Sequence, residues 1–281
     1  MTEIDFTGFL LAHKCMRHEY GRLADAARHP RGVGYQALIE KHIAVTLSVL
    51  HHHHAEEDNW LWPTLRERAP AASPALDRLE AQHTQIDPLV TAAADTSRPL
   101  PERALVLAEL HDAINAHLEE EERLILPLAA AHISAEEWDA FGQRALASIP
   151  HRYLPIVLGW VSSEATIQEW AQMQQMLPRL VRILAQAFWV PAYTKRRRRL
   201  YPQSALDYWS SAGPGQPSTP RWPSSAPDIE NDLCSGSTFP SLVSDNPSNS
   251  QTAASSRRQA PAKSGDRRWE HPRQRERKHS A

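Results

Sequence analysis

The chain carries one spacing twice: His53-x3-Glu57-x5-Pro63 and, 64 positions later, His117-x3-Glu121-x5-Pro127. Residues four apart lie one turn up the same helix face, so each copy aims an imidazole and a carboxylate in one direction. A lone His-x3-Glu is common on solvated faces. Two copies that share the proline offset require two helices that present matching polar pairs.

The punctuation between the copies sets how the helices are arranged. Turn clusters at Arg31 to Gly34, Ala69 to Pro74 and Ser97 to Pro101 separate four long segments with few internal breakers. The pattern predicts helices over about 5–28, 35–68, 74–94 and 101–131, with Pro63 and Pro127 marking a kink or an end in the second and fourth. Short connections between long helices favour antiparallel neighbours. The fold class is therefore all-α, an antiparallel up-down four-helix bundle. Ser134 with Glu137 and Thr166 with Glu169 have capping-box spacing and start further helices, which run to the basic cluster Lys195 to Arg199. From 201 to 281 the chain has 10 Pro and 16 Ser and no apolar period, which predicts a disordered tail. Trp209, Trp222 and Trp269 within it read as isolated aromatics rather than docking points. The domain reading is 1–132 for the bundle with a metal site, 133–200 for a helical extension and 201–281 for the tail.

A level test links the bundle to a site. Where two antiparallel helices meet at a turn, residues at equal height are equidistant from it, because each helix rises about 1.5 Å per residue. His13 and His53 have their midpoint at 33, Glu57 and His83 at 70, and His83 and His117 at 100, each inside a turn cluster. All four helices thus place one histidine at a single level. The donors so gathered are His13, His53, His83 and His117 with Glu57 and Glu121. Carboxylates inside a bundle are costly unless paired or coordinated. Nitrogen and oxygen donors without thiolate suit iron or manganese better than a structural zinc site. Six donors, two of them carboxylates able to bridge, suggest two ions.

Neighbouring residues have plainer readings. In the run His51 to His54, the pairs His52 with Glu56 and His54 with Asp58 compete with His53 and Glu57, and the proline offset selects the last. His42 shares roughly that face but lies about 16 Å away by helix rise, too far to join the site. Cys15 reads as a buried thiol, and Trp60, Leu61, Trp62, Leu124 and Leu126 as core that keeps the site dry. Lys195 to Arg199 at a helix C-terminus complements the helix dipole.

Composition removes other classes. Lys and Arg total 31 against 33 for Asp and Glu, so no strong charge points to nucleic acid. Cys15 and Cys234, 219 positions apart, make no disulfide framework, and the default is a reducing cytoplasm. The opening MTEIDFTGFLLAHK lacks the basic start of a signal peptide. No apolar run approaches the roughly 20 residues of a membrane span. The expectation is a cytoplasmic protein with no membrane or nucleic-acid partner; the oligomeric state is not legible.

The order His, His-x3-Glu, His, His-x3-Glu resembles the hemerythrin HHE cation-binding domain. The stretches AHKCMRHEYG, LHHHHAEEDNWLWP, EAQHTQID and HLEEEERLILPLAAAHISAEEWD are similar to its actinobacterial, mycobacterial-type members, and AEEWDAFGQRALASIPHRYLPIVLG to the helical extension of that subgroup. The resemblance implies a non-haem centre of two iron ions, bridged by oxo and carboxylate groups, held by His13, His53, Glu57, His83, His117 and Glu121. Glu57 and Glu121 would be the bridging carboxylates. Against the oxygen-carrying members the chain has Asp87 where they use a second histidine, and His-x3-Glu where they use His-x4-Asp. Glu122 would supply the longer spacing, so Asp87 and Glu122 stand as additional candidates. The carboxylate-rich set favours oxidised iron over reversible oxygen carriage. The resemblance implies processing of a small oxidant, hydrogen peroxide in a catalase-like reaction foremost, with nitric oxide or oxygen as other ligands. Sensing of oxygen, nitric oxide or iron, and oxygen carriage or iron storage without turnover, are the alternatives.

Overall fold

The computed structural model describes residues 3–201; the expected disordered tail, with its three tryptophans, lies outside the described residues apart from Tyr201. All regular structure in the described residues is helical. The bundle is formed by α1 (Thr7–Arg28), α2 (Val33–Glu56), α3 (Trp62–Arg68), α4 (Ser73–Ala94) and α5 (Leu100–His132). Here α1 packs on α2 and α5, and α4 packs on the same two helices, which closes an antiparallel ring. The α1–α2 turn depends on Gly32, whose φ of 81° is a left-handed conformation that side chains rarely adopt.

The helix predicted over 35–68 is one helix with a π turn, Glu57–Leu61, between α2 and α3. There the Trp62 N–H bonds back to the Glu57 carbonyl, one residue beyond the α-helical partner. The turn falls immediately before Pro63, whose missing N–H and bulky ring oppose regular α-helix. The expected kink is thus a π turn, and Pro127 is carried inside α5.

Beyond the bundle come α6 (Ala135–Ser148), α7 (Leu154–Glu164), α8 (Ile167–Gln175), α9 (Arg179–Leu184) and α10 (Val190–Leu200), with a second π turn at Ala185–Trp189 just before Pro191. Both predicted capping boxes form, Ser134 with Glu137 and Thr166 with Glu169. The extension packs on the bundle through α6 on α2, α7 and α8 on α1, and α10 on α2. At the α7–α10 contact, a Cβ on Gly159 would meet the Tyr193 Cβ at 2.2 Å, so only glycine allows this approach. Tyr201, assigned by composition to the tail, is instead buried in the core with its hydroxyl on Glu19. Its phenol completes a polar contact that a count of prolines and serines does not register.

The core is divided. One apolar cluster includes Leu11, Leu50, Ile86 and Leu118, a second includes Phe9, Leu61, Leu79 and Ile125, and a third, Leu158, Leu177 and Ala185, lies in the extension. On each bundle helix the histidines and glutamates of interest fall between a residue of the first cluster and one of the second. A polar layer therefore crosses the bundle between two apolar clusters.

Candidate metal centre

The structure gathers this layer into two groups of four, His13, His53, Glu57 and Glu121, and His54, Glu57, His83 and His117. Within each group the potential donor atoms lie within 4.8 Å of one another, and Glu57 belongs to both. Glu57 reaches His53 Nε2 with Oε1 at 3.0 Å and His83 Nε2 with Oε2 at 3.5 Å. Glu121 Oε2 also lies between the groups, 3.6 Å from His13 Nε2 and 3.5 Å from His117 Nε2. All six residues singled out from sequence are therefore together.

The seventh, His54, belongs to a register that the proline offset rejects. Adjacent residues on a helix diverge by about 100°, which would normally aim only one of them inward. But α2 borders α1 on one side and α4 on the other. His53 turns towards His13, ring centres 5.0 Å apart, while His54 stacks on His83 at 3.9 Å. Two sites side by side thus use two consecutive residues, and the unbroken run His51 to His54 is the sequence signal for it. With His54 the candidate donors number five imidazoles and two carboxylates. Asp87 is exposed, and Glu122 faces outward onto His13 and Arg17; neither joins the groups.

Outer contacts fix the rings. His13 Nδ1 donates to Glu122 Oε1 at 2.8 Å, and Glu122 also accepts from Arg17 at 2.7 Å. His83 Nδ1 donates to Asp58 Oδ1 at 2.8 Å. His117 Nδ1 donates to the Gln82 amide oxygen at 2.8 Å, and the Gln82 amide nitrogen, donating to Glu120, fixes which way that amide faces. Each of these bonds places the ring proton on Nδ1 and leaves the Nε2 lone pair for the interior. His83 Nε2 and His117 Nε2 then face each other at 3.1 Å, an arrangement that a cation shared between the two lone pairs would satisfy.

Burial shapes the charge state. His13 is driven down to about 3 by burial, more than the Glu122 bond raises it, and His117 to about 2 by burial and then by the surrounding histidines. His54 is also lowered, by burial and then by His83. Burial raises Glu57 to about 8 despite His83, and burial and then Glu57 raise Glu121 well above the ordinary carboxylate range. Glu122 goes the other way: burial is outweighed by the His13 and Arg17 hydrogen bonds, and it falls to about 2. Burial thus favours the neutral forms of His13, His53, His54 and His117 and the protonated forms of Glu57 and Glu121, whose protons a cation would displace.

The family model of the hemerythrin HHE cation-binding domain matches residues 7–129, a span that contains all seven residues. This segment belongs to that family. The HHE domain is a metal-binding helical module. No curated protein and no solved structure matches the chain. A test of fit lies in the polar atoms left over. His13 Nε2, His53 Nε2, His54 Nε2 and both carboxyl oxygens of Glu57 and of Glu121 are buried without a hydrogen-bond partner. His53 Nε2 is close to Glu57 but off the line a hydrogen bond needs. Each such orphan costs roughly 1–3 kcal/mol. Their convergence in one layer of the HHE domain, all nitrogen and oxygen, fits an iron- or manganese-type cation. Among the described residues no helix is long and apolar enough to cross a membrane.

Proposed function

We propose that the HHE domain holds two iron ions and processes a small oxidant, hydrogen peroxide in a catalase-like reaction, with nitric oxide and oxygen as the other ligands that fit the same centre. The carrying observation is the pair of four-donor groups that share Glu57. His13, His53, Glu57 and Glu121 would hold one ion and His54, Glu57, His83 and His117 the other, with Glu57 and Glu121 bridging. Two adjacent irons supply two one-electron changes at one place, which matches the two electrons exchanged by peroxide.

The chain's own residues bind, orient and exclude. Glu122, Asp58 and Gln82 hold the His13, His83 and His117 rings with Nε2 inward. Phe9 packs on His13 at 4.1 Å between ring centres, and Trp62 lies 6.2 Å from His83; both are buried and keep bulk water from the layer. The five-imidazole set leaves oxygen binding open beside peroxide turnover. Cysteine usage favours a reducing, cytoplasmic setting.

The test is iron content of the purified chain together with oxygen evolution from peroxide. About two irons per chain is the expected stoichiometry, with evolution above that of free iron and lost in His53→Ala. Iron at that stoichiometry with no oxygen evolution rejects the catalase-like step. Failure to take up iron under anaerobic ferrous loading rejects the centre itself. A second reading, sensing without turnover, draws on α1: the helix of His13 also carries His18 and Arg22, which pair with Glu164 of α7. Iron-dependent hydrogen exchange at α7, without peroxide turnover, favours it.

A further inference from the structure

Between the bundle and the extension lies a cavity of about 590 Å³ that the metal centre does not account for. Its near wall comes from α1 and α2 and ends at the His53 ring; its far wall comes from α6, α7 and α8. That far wall, from Ala135 to Met176, lies wholly beyond the matched residues 7–129, so the extension makes this space and the HHE domain alone does not. Packed interiors leave few voids larger than a water molecule, and this volume falls in the range of small-molecule sites, roughly 300–1,000 Å³.

Its chemistry selects a ligand. Met16, Leu146, Val157, Leu158, Val161 and Met176 give it an apolar body. Among the described residues Glu3, Asp5 and Asp139 are the acidic ones that line it, all exposed, and no lysine or arginine does. An anionic headgroup would meet carboxylates without a compensating cation. Trp160 adds an aromatic ring to the wall.

We propose that this cavity binds one neutral, largely apolar organic molecule, its apolar body against the methionine and leucine wall, beside His53. The site would bring such a molecule against the edge of the metal layer. Binding itself does not depend on metal being held.

The experiment titrates the full chain, chelated and iron-loaded, with diphenylhexatriene, a carbonyl-free apolar probe that fluoresces when shielded from water. One probe per chain is expected in both states, displaced by dodecan-2-one at lower concentration than by dodecanoate. Ala145→Phe fills the cavity from α6 and should abolish probe binding with the helical circular dichroism melt retained. Should that variant fail to fold, Gly142→Val replaces it, where the added Cβ presses on the flexible end of Met176, 3.1 Å away. Absence of saturable binding, equal displacement by dodecanoate, or unchanged binding in a folded filled variant each overturns the proposal. Because binding is read in the chelated chain, such a failure is distinct from failure of the iron reading.

Discussion

Six residues along α1 separate His13, in the layer of imidazoles and glutamates, from Glu19, in a second buried cluster where α7, α10 and Tyr201 meet the bundle. In the second cluster Glu19 accepts from His42 and from Tyr201, each at 2.5 Å, and Glu164 accepts from Arg22 at 2.5 Å, His18 at 2.7 Å and Arg197 at 3.1 Å. Burial there is outweighed by these partners: Glu19 is lowered, and Glu164 falls to about 2. In the first cluster no arginine or lysine among the described residues pairs with Glu57 or Glu121, and both rise. Histidine and carboxylate buried together thus have two outcomes. With guanidinium groups they close into a fixed cross-link; without them they keep lone pairs for a cation that the chain does not supply.

The largest expected effect breaks the closed cluster. Arg22→Met removes the buried guanidinium that lies between Glu164 and Glu19 and should cost about 3–5 kcal/mol, the penalty for breaking a buried charge pair by deleting one member. Urea unfolding measures it, and iron per folded chain should not change. If iron is lost in proportion, the two clusters are one unit and the contrast fails. Next in size is the metal itself. Iron loading should stabilise the chain against urea by about 2.7 kcal/mol at free metal one hundred times the dissociation constant, and a chelator should reverse it. Glu57→Gln should remove that metal-dependent increment and leave the metal-free midpoint no lower, since it takes away a buried carboxyl that had no partner.

A smaller effect sharpens the contrast inside the layer. Glu122→Gln and Asp58→Asn leave all seven inner groups in place and alter only what the His13 and His83 rings lean on. Metal affinity by chelator competition should fall about 10–100-fold in each, with stoichiometry retained. Loss of one iron per chain instead would move Glu122 or Asp58 into the donor set.

The two clusters also differ in how legible they are in sequence. Helices, turns and the common level of His13, His53, His83 and His117 can be read from spacing, because helix rise and turn position are local. The two capping boxes are local too, and both form. His54 escapes a reading that gives each helix one inward face, whereas α2 borders a helix on each side. The π turn has a local cue in Pro63, but a proline announces disruption without specifying its form. Arg22 with Glu164 is not legible at all: they are 142 positions apart, and no spacing rule relates a residue of α1 to one of α7. Tyr201 is hidden by the proline- and serine-rich composition of residues 202–281.

The pH response sets the two clusters in opposite directions. Glu164 is held well below the ordinary carboxylate value, so its contribution to stability is complete above that value and lost as pH falls from about 4.5 towards 2. Glu57 is raised to about 8 in the metal-free chain, so the folded state keeps a proton that the unfolded state has released. Metal-free stability should therefore decline as pH rises from about 4.5 to 8 through this group. Metal binding runs against that decline, because the ion takes the place of the proton. Its affinity should rise with pH by at most about tenfold per unit for each proton displaced. The gap between the iron-loaded and chelated urea midpoints should accordingly widen between pH 6 and 8 and narrow towards pH 5. In Glu57→Gln the slope from this carboxyl should be gone, while the acid-side loss from Glu164 stays. A gap that is flat with pH would mean that the carboxyls are already ionised before metal arrives, and that the layer is compensated by a partner resembling the guanidinium groups of the closed cluster.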